Sequence, residues 1–163
     1  VLAEQQHFRF TDVVKHYSNL TMKQALKSNS PSIGQISTGN EATAVKCIEN
    51  LFTGLSAYFD KPLLPTQSNA IATELLSFYE YRSLKLEDLV VICQDLKKAD
   101  IYKLTLAKIL QAVSKYTDDR QRLAMNTSRS DSKHHSSQKD IMNTTVLDRL
   151  NKAYYHIPAS KKK

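Results

Sequence analysis

Apolar residues recur along most of this chain at steps of three and four, the period of a helix packed on one face. The densest stretch begins Leu84-Lys85-Leu86-Glu87-Asp88-Leu89-Val90-Val91-Ile92-Cys93 and runs on through Tyr102 to Arg120. Ile92, Leu96 and Ala99 share one helix face there, and Leu106, Ile109, Leu110, Val113 and Tyr116 another, with Lys97-Lys98-Ala99-Asp100 as the polar break. Upstream, Phe10, Val13, Val14 and Tyr17 predict a short amphipathic helix. Thr21-Met22-Lys23-Gln24 has the pattern of a capping box and should open a helix of about two turns before Pro31. Ser28 to Gly34 reads as a loop, with Ile33 and Ile36 as plugs into the core. Asn40-Glu41 is a helix start for the clearest stripe, Val45, Ile48, Phe52, Leu55 and Phe59, which must end before Pro62. Gly54 inside that stripe marks either a close helix crossing or a tolerated glycine. Thr66 is expected to cap the next helix, whose face is Ala70, Ile71, Leu75, Phe78 and Tyr79.

The pattern changes at Met125. From Asn126 to Asp140 there is no Val, Ile, Leu, Phe or Tyr, and serines dominate. A segment with so little to bury should be a flexible tether. A stripe returns at Met142, Val146, Leu150, Ala153 and Ile157 and stops at Pro158, with Lys161, Lys162 and Lys163 closing the chain. The expectation is therefore an all-α protein: a compact antiparallel helical bundle over residues 1–125, a Ser-rich linker over 126–140, and an amphipathic helix with a basic tail over 141–163. Three glycines and no Trp in 163 residues fit that class.

Charge sharpens the division. The net charge is +7, yet residues 1–100 hold 10 Lys/Arg against 11 Asp/Glu, and residues 101–163 hold 13 against 5. An excess confined to one end suits an acidic partner. Lys108, Lys115 and Arg122 are seven apart and lie on one helix stripe. With Arg129, Arg149, Lys152 and Lys161 to Lys163 they could track a phosphate backbone. No fork of Asn or Arg at recognition-helix spacing accompanies them, so nucleic-acid binding would be non-specific. Met142, Val146, Leu150, Tyr154 and Ile157 are the candidate seat for a protein partner by helix-in-groove docking, or else they fold back onto the chain's own core.

Little points to catalysis. The five histidines are scattered away from other ligands, so neither a metal site nor a cofactor is expected. Glu87-Asp88 reads as a first-turn partner of the helix dipole and Asp118-Asp119 as a solvated face. Cys47 and Cys93 fall on apolar faces and suit buried, reduced thiols. The longest apolar run, Leu89 to Cys93, is far short of a membrane span, and no leader pattern opens the chain at Val1. A bacterial cytoplasm is the expected setting, with residues upstream of Val1 left open.

Leu20-Thr21-Met22-Lys23-Gln24-Ala25-Leu26 with Pro31-Ser32-Ile33, Leu84-Lys85-Leu86-Glu87-Asp88-Leu89, and Ile109-Leu110 with Tyr116 and Arg120 together resemble small all-helical accessory proteins of bacterial phages and conjugative elements. The resemblance covers about residues 20–122 and departs from the family at the turn Lys98 to Lys103. It implies a non-catalytic adaptor linked to DNA replication, in the manner of helicase-loader-type proteins. The alternative is a packaged virion protein whose tail orders on assembly.

Overall fold

The computed structural model describes residues 10–99 and 103–155, and describes side chains from Phe10 to Ser130 except at Thr11, Val14 and residues 100–102. The architecture is all-α, with no strand among the described residues. The helices are α1 (Phe10–His16), α2 (Met22–Lys27), α3 (Ile33–Gly39), α4 (Glu41–Ser56), α5 (Pro65–Ser77), α6 (Leu86–Lys98) and α7 (Leu106–Tyr155), with a 3-10 turn at Tyr81–Ser83. The chain divides into two compact units, Val1–Arg122 and Leu123–Lys163.

In the first unit, local chemistry sets the helix starts. Thr21 Oγ1 accepts from Gln24 N, and Gln24 Oε1 accepts from Thr21 N at 2.9 Å, closing the box that opens α2. The same box, Ser32 with Gln35, opens α3 directly after Pro31. The stretch expected as a loop therefore becomes helical from Ile33, because Ser-x-x-Gln satisfies the same orphan amides as Thr-x-x-Gln. Asn40 Oδ1 caps α4 by accepting from Thr43 N. Helix α5 starts two residues earlier than Thr66 would place it. Pro65 sits at N1, where its missing N–H costs nothing, and Gln67 Oε1 accepts from Leu64 N.

Helix α4 is the central surface of this unit and packs on α1, α3, α5 and α6. Ile48, Leu51, Phe52 and Leu55 are fully buried along it. Gly54 is where α1 crosses. A Cβ built there would lie 2.1 Å from Phe10 Cβ, so only a glycine admits this approach. The face expected for α5 is corrected in part: Ile71 and Leu75 are buried, but Ala70, Phe78 and Tyr79 face solvent, and Ser68 and Ala72 take the inward positions. The helix ends at Ser77, so the register that would have brought Phe78 and Tyr79 inward is lost.

Helix α6 is enclosed on all sides over most of its length, and from Leu86 to Gln94 every residue is buried. That leaves no solvated side for Glu87 and Asp88. Both sit in the interior, which corrects their reading as mere dipole partners. On α7, Ile109, Val113 and Tyr116 are buried while Leu106 stays exposed.

The expected tether is corrected as well. Helix α7 is continuous through residues 126–140. The chain has no Gly or Pro between Leu106 and Pro158. Ser, Asn, Asp, Lys and Arg each cost only a few tenths of a kcal/mol, up to about 0.7, in a helix interior. Poverty in burial and absence of helix are different properties, and here only the first holds at the sequence level.

Candidate functional site

The polar interior of the first unit is built from α6 outward. Asp88 Oδ2 accepts from Lys85 N at 2.8 Å, holding the first turn of α6. Its other oxygen accepts from the Tyr116 hydroxyl at 2.8 Å. Arg120 Nε lies 3.2 Å from Asp88 Oδ2 as an ion pair, and Arg120 Nη2 donates to the Ser83 carbonyl at 3.3 Å. Asp88 is fully buried and the Arg120 side chain only 13% exposed. One carboxylate thus ties α6, α7 and the turn between α5 and α6 together. Burial, and next the Asp88 carboxylate, push the Tyr116 hydroxyl well above its ordinary pKa, which keeps it neutral as a donor.

Lys85 makes a second junction. Its ammonium donates to Ala25, Leu26 and Ser28 carbonyls at 3.4, 3.0 and 2.5 Å, covering the open C-terminal end of α2. Glu87 Oε1 accepts from Ser30 Oγ at 2.5 Å. Gln94 Nε2 donates to the Tyr17 carbonyl, fastening the end of α1. Cys47 and Cys93 are free and buried, and burial raises both thiols.

With α2, α6 and α7 held this way, a groove of about 530 Å³ opens between them. Its floor is Met22, Ile92, Leu96, Ala99, Ala112 and Tyr116. The α7 rim carries Lys108, Gln111, Lys115 and Asp119, and the α6 rim carries Asp95. Two of the expected phosphate-tracking residues, Lys108 and Lys115, therefore line a groove that also holds carboxylates. The third, Arg122, is exposed and pairs with Asp119 at 3.7 Å. In the second unit, Arg129 is exposed.

The remaining candidates fall where no side chain is described. Arg149, Lys152, Met142, Val146, Leu150 and Tyr154 lie on the backbone of α7. Ile157, Lys161, Lys162 and Lys163 lie outside the described residues. No group of three His, Cys, Asp or Glu that could hold a metal is present among the described residues, and no described helix is long and apolar enough to cross a membrane. Sequence reasoning missed Asp88, Tyr116 and Arg120 as one cluster. The available signal was the unbroken apolar run Leu89 to Cys93, which covers every side of a helical turn, so an acid beside it is buried and needs a cation from elsewhere.

Comparison with family models, with curated proteins and with solved structures gives no match for this chain.

Proposed function

We propose that this chain is a non-catalytic helical adaptor that seats a protein partner in the groove between α6 and α7 and contacts nucleic acid non-specifically through its basic last third. The observation that carries the reading is the groove itself, an apolar floor between charged rims lined by residues of α2, α6 and α7. Such a surface recognises shape and charge together. The charge excess of residues 101–163 supports the nucleic-acid arm, while Arg120 is taken out of that excess by its pairing with Asp88. Because Lys108 and Lys115 share their groove with Asp95 and Asp119, the phosphate-binding role falls to Arg129 and the basic positions after it. The resemblance to accessory proteins of phages and conjugative elements supports a place in DNA replication or a related process.

The nucleic-acid arm is tested by fluorescence anisotropy with random single- and double-stranded oligonucleotides at two salt concentrations. Binding should be indifferent to sequence and steeply salt-dependent. Deleting Lys161 to Lys163 should flatten the logarithmic salt slope on duplex by about 0.9 for each phosphate no longer neutralised. No binding at low salt with tens of micromolar protein removes that arm. The protein arm is tested by recovery of a co-purifying protein with the full chain, and its absence under gentle extraction counts against the adaptor.

A further inference from the structure

Building on the adaptor reading, we infer that the occupant of the α6–α7 groove is an acidic amphipathic helix. Lys108 and Lys115 are exposed on the α7 rim, and neither forms an ion pair among the described residues. Seven residues apart on one helix, they stand about 10.5 Å apart along its axis. A second helix laid along α7 repeats that rise, so carboxylates at its own positions i and i+7 meet both ammonium groups. Its apolar residues at i+3 and i+4 then fall between them, over Ala112, Leu96 and Met22. From Lys108 to Asp119 the rim runs about 16 Å, room for three turns of such a partner.

The same groove is a poor bed for a phosphate backbone. Asp95 lines it from α6 and Asp119 from α7, so the groove alternates carboxylates with ammonium groups, whereas a uniformly anionic phosphate backbone needs a uniformly basic bed. Asp119 is answered within the chain by Arg122, whereas Asp95 forms no ion pair among the described residues and can take a Lys or Arg from the far flank of a peptide helix. The one aromatic ring in the floor, Tyr116, is buried with its hydroxyl committed to Asp88, so no stacking platform is presented to bases. Apolar floor, paired lysines and an opposing carboxylate together match an amphipathic helix whose charged flank is mainly acidic.

The test uses the full chain and a labelled synthetic helix of about four turns, with Glu at i and i+7 and Leu at i+3 and i+4, beside a counterpart carrying Lys for Glu. The acidic peptide should bind and the counterpart should not. Lys108→Glu with Lys115→Glu should weaken the acidic peptide about tenfold and admit the Lys counterpart. Ala112→Arg, which fills the floor, should abolish binding of either. Lys46→Glu with Lys61→Glu makes the same change in net charge away from the groove and should leave affinity unchanged. Thermal melts of each variant show that the fold persists.

Equal binding of both peptides, or binding of neither, overturns the inference. So does an oligonucleotide that displaces the acidic peptide and itself loses affinity in the Lys108/Lys115 reversal, which makes the groove a nucleic-acid surface. A chain that retains a co-purifying protein but binds no acidic peptide overturns the groove assignment and leaves the adaptor standing.

Discussion

At the scale of single residues, Asp88 decides most. Its carboxylate is fully buried and answers Tyr116, Arg120 and the backbone of Lys85. Removing one member of such a pair leaves the other's charge buried without a partner. Asp88→Ala should therefore cost about 3–5 kcal/mol. Arg120→Ala should cost less, since Arg120 keeps a little exposure. In urea melts the double variant should lose clearly less than the sum of the two, and additive losses would show that the pair is not coupled. Tyr116 adds a pH dependence. Burial and the nearby Asp88 raise its pKa in the folded chain above the unfolded value of about 10, so its share of stability is whole below that pH and lost as pH rises beyond it. Tyr116→Phe should flatten the fall in stability above pH 10 while costing the hydrogen bond to Asp88 at neutral pH. An unchanged alkaline slope would count against it. Which partners Asp88 takes was not legible from local sequence, because Asp88 and Arg120 are joined only by the packing of two helices, and the adjacent Glu87-Asp88 pair resembles any acidic first turn.

At the scale of elements, starts were easier to read than packing. The Thr21 box, the Asn40 cap and the α4 stripe follow from side chains within four residues of one another, and the structure has the box, the cap and the stripe as far as Leu55, with Phe59 lying past the end of α4 at Ser56. Helix α3 was missed although Ser32-x-x-Gln35 repeats the Thr21 pattern, since Pro31 and Gly34 pointed to a loop. Gly54 left two meanings open, and the crossing of α1 decides between them. Gly54→Ala gains helix propensity of about 1 kcal/mol but meets Phe10 Cβ, an atom no rotamer change can move. Net destabilisation of about 1–2 kcal/mol is expected, with α1 displaced. A variant more stable than the parent, with the amide signals of α1 unshifted, would contradict the crossing. For residues 126–140, helical Cα chemical shifts are expected in the full chain, and random-coil shifts there would restore the tether.

At the scale of the whole molecule, the all-α class and the asymmetry of charge were plain in the sequence, because periodicity and composition survive without knowledge of tertiary packing. The groove was not. Met22, Ile92, Ala112 and Lys115 come from three helices, α2 being far in the chain from the consecutive α6 and α7, and only their docking turns a basic stripe into the wall of an apolar groove. The stripe expected for Lys108, Lys115 and Arg122 was read without Asp95 and Asp119, which line the same groove as the two lysines and change what they can hold. The most direct measurement is a pair of amide chemical-shift titrations of the full chain, one with the acidic amphipathic peptide and one with a random oligonucleotide. The peptide should shift Met22, Leu96, Ala99, Ala112 and Lys115, and the oligonucleotide should shift residues from Arg129 onward while sparing the groove. Oligonucleotide shifts centred on Lys108 and Lys115, with the peptide leaving the groove untouched, would contradict the assignment of this surface to a protein partner.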